Sequence, residues 1–289
     1  MSFVLTLNST NVSNTSTNTS FKYNFINGGF TCKNYEMCVS SITLPYSFYN
    51  ISSYYSNKTF SLIFPTAATT IQHDITLPDG FYTVTEINSY IQLECQTHGA
   101  YLIDSAGDYV YFIQLVYNTA YYSVQLLTFI VPTLANIGTY TRPSTGLYST
   151  TGTGLPTTSS TPKLVLASTG SIRTIIGFAA GTFPSTTQTS DYNISSTLTP
   201  IGTTVNSIIM RCSLVSNSCT SPSDILDSMP IKDTSFGSNI TYDPSFEKFV
   251  NISDGTFNNF IFTFADQSLN EIYARDPNVS ITLIIRPRR

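Results

Sequence analysis

Charged side chains are scarce in this chain. Lys, Arg, Asp and Glu together make up 10% of its 289 residues, against about 25% in an ordinary globular domain. A lone domain in water usually presents a more charged surface, and depletion of charge is typical of surfaces that neighbouring subunits cover. The composition therefore favours a chain whose outer faces are largely covered by other chains. The alternative is an exterior made polar by Ser, Thr and Asn.

Positive charge is especially limited. The formal net charge is −4, which argues against a general nucleic-acid binder because phosphate contacts need a basic patch. The one basic cluster is Arg286, Arg288 and Arg289 at the C-terminal end. Two hypotheses stand for it: a contact with nucleic acid or an acidic neighbour, and a solvated end that protects an edge strand with the help of Pro287.

Disulfide, membrane and export signals are missing. The longest apolar stretch, at 124–131, falls far short of the ~18 residues of a membrane span. The N-terminus has no basic region and its apolar stretch breaks at Asn8, so no signal peptide is expected. The ten Asn-x-Ser/Thr triplets are then chance products of the composition. The cysteines show no framework or CxxC spacing and are predicted to be buried free thiols in a reducing compartment: Cys32, Cys38, Cys95, Cys212 and Cys219.

Catalytic patterns are also missing. The two histidines, His73 and His98, lie in different predicted elements, and Asp74 should point to the opposite face of the strand from His73. Turn roles explain the closely spaced carboxylates better than a glycosidase pair does. These carboxylates are Asp224 with Asp227, and Asp104 with Asp108. The sequence thus predicts no enzymatic activity, no metal and no cofactor.

What the sequence does contain is strand-forming material. Its 19 Tyr and 19 Phe occur mostly in short alternating segments rich in Val, Ile and Thr, separated by turn residues. Such spacing predicts an all-β sandwich or barrel rather than βαβ units. The predicted strands of the first hundred residues are 2–7, 21–26, 35–44 and 59–64. Further candidates are 109–117, 121–131 and 205–214.

The last strands have the clearest alternation. Phe260, Phe262 and Phe264 recur at period two and should share one face. Asp276-Pro277-Asn278 supplies a turn. In the final segment four apolar residues point one way while Ser and Thr take the other face: Val279, Ile281, Leu283 and Ile285.

One helix is predicted within this β-rich chain. Thr83-Val84-Thr85-Glu86 has the form of a capping box, and apolar residues follow at helical spacing. Gly99 stands where a C-terminal cap glycine belongs. We expect this helix to pack across the open end or edge of the sandwich.

A long loop is predicted in the middle of the chain. Residues 133–161 hold 14 Ser or Thr among 29 residues and show no periodicity. Loops of that length are usually functional or mobile. Limited proteolysis is expected to cut there first.

Four C-terminal motifs carry a family resemblance. In order, they are FG-x-x-I-x-Y-x-P at 236–244, I-x-D-G at 252–255, DQ at 266–267, and DP-N-V-x-I-x-L-x-I-R at 276–286. This order resembles the last strands of jelly-roll capsid proteins, above all the penton proteins of virophages and Polinton-type viruses. LP-D-G-x-Y-x-x-x-x-I-N-x-x-I at 77–91 is similar to the same family, and residues 35–36 and 44–51 match it more loosely.

The resemblance implies a structural protein. The expected fold is a single jelly-roll β-sandwich with one short helix and a β-rich inserted domain. The two halves of the jelly roll would be 1–98 and 203–289, and the insertion 99–202. The chain would be made in the host cytoplasm and form the homopentameric vertex of an icosahedral virion, beside major capsid protein capsomers, with the C-terminal arginines on the packaged genome.

Three other functions remain open at this point. A minor or cement capsid protein of the same particle is the nearest. A secreted glycan-binding β-sandwich adhesin is favoured by the Asn-x-Ser/Thr triplets and aromatics and disfavoured by the missing signal peptide. A β-sandwich hydrolase has no convincing set of catalytic residues.

Overall fold

The chain forms two compact units in a computed structural model that describes residues 2–14, 17–26, 28–202, 205–232 and 234–288. One unit combines residues 1–49 with 203–289, and the other consists of residues 50–202. The predicted start of the insertion was residue 99. The chain instead enters the second unit at Asn50, so the predicted strand 59–64 and the predicted helix both belong to the insertion.

Asn50 joins the two ends of the second unit. Its buried side-chain amide donates hydrogen bonds to the carbonyls of Tyr82 and Gly202 at 2.8 and 2.9 Å, and its Oδ1 accepts one from the Tyr82 N–H at 2.8 Å. A buried amide needs all of these partners. The insertion therefore closes on itself where the chain enters and leaves it, and this fixes the boundary that alternation in the sequence does not reveal.

The strands have the following bounds. The chain begins with β1 (Phe3–Asn8), β2 (Ser13–Asn14), β3 (Ser20–Asn24), β4 (Phe30–Cys32) and β5 (Tyr35–Pro45). The insertion contains β6 (Asn57–Pro65), β7 (Thr70–Thr76), β8 (Leu102–Ile103), β9 (Tyr109–Val110), β10 (Ile113–Asn118), β11 (Ser123–Thr128), β12 (Lys163–Leu166), β13 (Gly170–Ser171), β14 (Gly181–Phe183) and β15 (Tyr192–Ser195). The chain ends with β16 (Ser207–Cys212), β17 (Ile225–Pro230), β18 (Asn239–Tyr242), β19 (Val250–Asn251), β20 (Gly255–Phe257), β21 (Asn259–Ala265) and β22 (Ser280–Pro287).

The first unit is a jelly roll. One sheet has the strand order β1-β22-β5-β18, and the other has the order β17-β16-β21-β3-β2. All of these neighbours are antiparallel. Eight principal strands remain when the short β2, β4, β19 and β20 are left out. Numbered along the chain, these eight have the orders 1-8-3-6 and 5-4-7-2, a double Greek key. The predicted all-β jelly roll is confirmed, and the insertion interrupts it between its third and fourth strands.

The predicted alternation of the last strands is confirmed in the core of the jelly roll. Phe260, Phe262 and Phe264 of β21 are buried, as are Ile281 and the other apolar residues of its face on β22. The aromatic rings of Phe262 and Phe264 meet edge to face at 5.3 Å. Both strands contribute to one apolar cluster, as the inner faces of packed sheets do.

The insertion is built from several small sheets. A four-strand path runs β13-β6-β12-β14 with β7 also on β6, a second sheet has the order β10-β11-β15, and β8 pairs with β9. The predicted strands 109–117 and 121–131 are shorter in the structure, where they form β9, β10 and β11. The insertion has an apolar cluster of its own.

The predicted helix is confirmed as α1 (Val84–Thr97), but its predicted position on the sandwich is wrong. Both hydrogen bonds of the capping box form between Thr83 and Glu86. The buried face of the helix contributes to the core of the insertion, and Asn88 Oδ1 accepts a hydrogen bond from the Leu115 N–H of β10 at 2.8 Å. Tertiary packing, which a single-helix pattern does not specify, decides the unit to which the helix belongs.

The predicted loop 133–161 lacks regular strands but is anchored to the insertion. It contains one 3-10 turn at Leu134–Asn136. Tyr148 is fully buried, and its N–H donates to the Gly99 carbonyl at 2.9 Å. Arg142 donates to the carbonyls of Tyr148 and Ser149. The loop follows a backbone-bonded path, and its polar composition gave no sign of this anchoring.

Candidate assembly edges and the C-terminal arginines

Arg286 is held within the jelly roll. It lies opposite Glu36 in the β22–β5 register, and its Nε donates to Glu36 Oε1 at 2.7 Å. Its guanidinium stacks on the ring of Phe249 at 3.3 Å, and its Nη1 lies 3.9 Å from Glu247 Oε2. A paired and stacked guanidinium stabilises the junction of these strands. Its positive charge is already compensated by a neighbouring carboxylate.

Arg288 is bound to main-chain groups. Its Nε donates to the Tyr35 carbonyl at 3.2 Å and its Nη2 to the Ile252 carbonyl at 3.0 Å, while its own N–H donates to the Asn34 carbonyl. Across the described ranges, no carboxylate forms an ion pair with Arg288. Unlike the charge of Arg286, the charge of Arg288 is therefore not compensated by a neighbouring carboxylate. Arg289 lies outside the described residues.

Both hypotheses for the C-terminal arginines stay predictions. β22 pairs with β1 over residues 280–285 and with β5 over its whole length, where Pro287 lies opposite Tyr35. Residues 280–285 therefore do not form an edge, whereas Arg286 and Pro287 extend past β1 and have β5 alone as a neighbour among the described strands.

The true edges of the sandwich include β18 in one sheet and β17 in the other. Asp227 of β17 is almost fully buried, and it accepts hydrogen bonds from Tyr242 Oη of β18 at 2.9 Å and from Lys248 Nζ at 2.8 Å. The bond to Asp227 raises the pKa of Lys248, and burial followed by the same carboxylate raises the pKa of Tyr242. The three groups stabilise one another and fix the segment that follows β18.

A groove lies along this edge. Its volume is about 430 Å³, and β17, β18 and the segment 243–248 line it. Phe246 on its rim is 65% exposed, with the Lys248 ammonium 5.6 Å from the ring centroid. An exposed aromatic side chain beside an unpaired strand edge is typical of a surface that another chain covers.

The sheet that has β18 at one edge has β1 at its opposite edge, and β1 pairs only with β22 among the described strands. Val4 of this strand is 69% exposed, and Phe3 also reaches the surface. The sheet that ends in β1 and β18 therefore carries exposed apolar side chains at or beside both edges. Such unlike surfaces suit head-to-tail contacts between identical chains.

The two histidines lie together in the insertion, although they belong to different elements of the sequence. The rings of His73 and His98 are stacked with centroids 3.7 Å apart, and His98 Nε2 lies 3.4 Å from Glu94 Oε2. Burial, followed by the neighbouring His98, lowers the pKa of His73. No sequence signal links two residues so far apart, because folding of the helix end onto β7 brings them together.

The carboxylates have structural partners. Asp74 accepts hydrogen bonds from Ser61 Oγ at 2.7 Å and Gln72 Nε2 at 2.8 Å, so it orients these side chains. Asp104 Oδ1 accepts from the N–H groups of Ala106 and Asp108 at 2.9 Å, which is the predicted turn role. The candidate pair Asp224 and Asp227 is divided between different partners, since Asp224 binds Arg211 at 2.9 Å and Asp227 binds Lys248.

All five cysteines are free thiols as predicted, and four of the five are buried as predicted. Cys32, Cys38, Cys95 and Cys212 are buried and Cys219 is exposed, with no disulfide among them. Within the part of the chain that the structure describes, no group of three or more His, Cys, Asp or Glu residues is placed to hold a metal ion. The helices of that part are too short or too polar to cross a membrane.

Comparison with known proteins finds matches among solved structures. No protein-family model matches the sequence, and no curated protein matches it. Among solved structures, the chain is similar to the crystal structure of selenomethionine-labelled mavirus penton protein. The match has a TM-score of 0.41 at 12% sequence identity and covers 100% of each chain. A likeness at this level carries no argument about function.

Proposed function

We propose that this protein is the penton, or vertex, protein of an icosahedral virus particle of the virophage or Polinton-like kind. It acts as a homopentamer that closes the vertex by shape complementarity, without catalysis or a cofactor. It contacts the surrounding major capsid protein capsomers and resides in the virion after synthesis in the host cytoplasm.

One observation carries this proposal. The C-terminal motifs that resemble the penton family fold as parts of the jelly-roll unit: 236–244 contains β18, 252–255 leads into β20, which pairs with β4 outside the two large sheets, and 276–286 leads into and forms most of β22. The last of these strands lies between β1 and β5 in the sheet. The residues of the resemblance thus build the sandwich that a capsid protein of this family needs.

The surface supports assembly of identical chains. Val4 on the β1 edge and Phe246 beside the β18 edge are exposed apolar side chains at opposite ends of one sheet. Contacts between unlike surfaces generate a ring when the rotation closes. The resemblance supplies the number five, and the 10% content of charged residues agrees with broad covered faces.

The decisive experiment is the mass and symmetry of the assembly. Mass photometry should give five times the 31.8 kDa chain, and cryo-electron microscopy should show a five-fold ring. Val4→Asp and Phe246→Asp should each abolish the ring and leave folded monomers, because a charge at a buried contact is costly. Leu134→Asp, at a comparably exposed apolar residue of the insertion, is the matched control and should assemble.

Three results would overturn the proposal. A strict monomer that is also absent from five-fold positions removes the vertex function. Trimers point to a hexon-like capsomer. A monomer bound elsewhere on the particle identifies a cement protein.

The contact of the C-terminal arginines with the genome is tested separately. Arg286 is left unchanged because its pairing with Glu36 stabilises the strand junction. Arg288→Gln combined with Arg289→Gln should reduce genome retention, with the largest difference from the wild type at low salt concentration, because rising salt weakens the phosphate contacts of the wild type. Particles with full genome content at every salt concentration would restrict the cluster to a structural function, and thermal unfolding of the free variant monitors its stability.

A further inference from the structure

The insertion contains an open groove of about 530 Å³ that the proposed vertex function does not use. Tyr109 and Val110 of β9, Gln114 of β10 and the residues after β11 line it. Pockets for small ligands typically measure 300–1,000 Å³. The groove is therefore large enough for one or two sugar rings.

Aromatic side chains dominate the lining. Tyr109 is 48% exposed, Tyr140 is 37% exposed, and Tyr111 and Phe129 are half-buried. The rings of Tyr109 and Tyr101 lie 4.5 Å apart, and Tyr111 Oη accepts a hydrogen bond from Gln96 of α1, so both tyrosines are held in place. Rigid aromatic rings with open faces offer apolar area together with a polar hydroxyl group.

Two polar side chains face the same groove. Asp191 Oδ1 accepts a hydrogen bond from the Ile130 N–H at 2.9 Å, which fixes the carboxylate at the rim. The Gln114 amide has no hydrogen-bond partner among the described residues. A fixed carboxylate accepts hydrogen bonds from hydroxyl groups, and an amide both donates and accepts them. Sites of this kind discriminate strongly for ligands that carry the matching hydroxyls.

The charge of the lining selects the ligand class. Asp191 is the single charged residue among the residues that line the groove, and its charge is negative. Without a cation, the groove disfavours phosphate, sulfate and sialic acid. A small cation would fit a closed aromatic cage better than an open groove of this volume, and it would have no use for the donor of Gln114.

We propose that this groove binds a neutral glycan, with sugar rings on Tyr109 and Tyr140 and sugar hydroxyls on Asp191 and Gln114. The proposal is independent of the vertex function, because every residue involved belongs to the insertion.

The test uses the full chain on an array of neutral, sialylated and sulfated oligosaccharides, followed by calorimetric titration of the tightest neutral oligosaccharide. Binding of neutral oligosaccharides is expected. Tyr109→Ala and Asp191→Asn should each weaken it at least tenfold, and Asn at position 191 retains an acceptor for the Ile130 N–H. Tyr121→Ala is the matched control, because Tyr121 is an 80% exposed tyrosine of the same unit that lies outside the groove.

Four results would overturn the proposal: no binding to any neutral oligosaccharide, preference for sialylated or sulfated ones, equal loss in Tyr121→Ala, or binding of a trimethyl-lysine peptide at the groove instead. A fifth result would overturn it as well: a change of oligomeric mass in Tyr109→Ala without a loss of glycan binding would show that a second copy covers the groove. Loss of glycan binding with intact five-fold rings separates this proposal from the vertex function.

Discussion

The jelly roll and the insertion bury similar amounts of apolar material by different means. In the jelly roll, most core side chains stand on strands and follow a period of two, as Phe260, Phe262 and Phe264 do. In the insertion, the core includes side chains outside regular strands, such as Tyr148 and Leu155 of the loop 133–161. The first core is determined by side-chain alternation, and the second also depends on the path of the backbone.

This difference determines where each unit is sensitive. A strand-based core is most sensitive to loss of side-chain volume, because the sheets hold the backbone whatever one side chain does. A loop-based core is most sensitive to changes at positions where two backbones approach, because few other contacts hold the loop. Hydrogen exchange followed by mass spectrometry measures both units in one sample and tests the comparison directly.

The largest effect is expected in the jelly roll from Phe262→Ala. Phe262 is fully buried between the sheets and packs on Phe264. Removal of a buried aromatic ring costs about 3–5 kcal/mol of unfolding free energy. The control is Ile261→Ala on the same strand, where the side chain is 40% exposed and the cost should stay near 0.5 kcal/mol. Equal loss of protection in both units would show that they do not unfold independently.

The jelly roll was largely predictable from the sequence, because alternating apolar and polar residues and the turn residues between strands determine which side chains enter its core. The buried faces of β21 and β22 and the Asp276 turn follow from local patterns, and Asp276 Oδ1 indeed accepts from the Asn278 N–H at 2.9 Å. The Asp254-Gly255 pair, a dipeptide typical of tight hairpins, does not form one. β19 pairs with β5 while β20 pairs with β4, so the pair joins two different ladders.

The insertion and the candidate site were less predictable because they depend on contacts distant in sequence. The hydrogen bonds of Asn50 to Gly202, the stacking of His73 on His98 and the pairing of Arg286 with Glu36 each join separate segments. No local pattern encodes such pairs. The sequence identified candidate polar and charged residues, but the tertiary fold determines which of them are in contact.

The second prediction concerns the closest backbone contact of the insertion. Gly99 has φ +64°, and a Cβ there would collide with the Thr145 carbonyl oxygen and lie 2.7 Å from Gly146 Cα. Gly99→Ala should cost about 3 kcal/mol, since strain and overpacking combine. Gly138 has a similar φ of +62° with open space around it, so Gly138→Ala isolates the conformational cost of about 1 kcal/mol. Equal effects of the two variants would mean that the loop contact does not stabilise the insertion.

A smaller effect is expected from acid, and only in the insertion. His73 faces His98, whose charge would repel its own, while Glu94 and Asp74 act in the opposite direction. Because burial and His98 lower the pKa of His73, the folded unit favours the neutral imidazole, whereas the unfolded chain takes up the proton near pH 6.5. The contribution of the neutral His73 to the unfolding free energy of the insertion is therefore present above pH 6.5 and is lost as the pH falls below it.

Hydrogen exchange at a series of pH values, corrected for intrinsic rates, should show earlier loss of protection in α1 and β7 than in β21 and β22. His73→Gln should flatten the pH dependence of the insertion. If the jelly roll loses protection in parallel, or if the variant retains the wild-type profile, the stacked histidines are not responsible.

The smallest effect is expected from Cys219→Ser. Cys219 is exposed, so this change should alter the unfolding free energy by no more than about 0.5 kcal/mol. It should also abolish thiol labelling of the native protein, because burial raises the pKa of Cys95 and Cys212 to about 12 and keeps them from the reagent.

In the Cys219→Ser variant, labelling of Cys95 reports opening of the insertion and labelling of Cys212 reports opening of the jelly roll. Adding Gly99→Ala should then accelerate labelling of Cys95 in mild urea while that of Cys212 keeps its rate; equal acceleration at both cysteines would show that a single cooperative unit replaces the two described above.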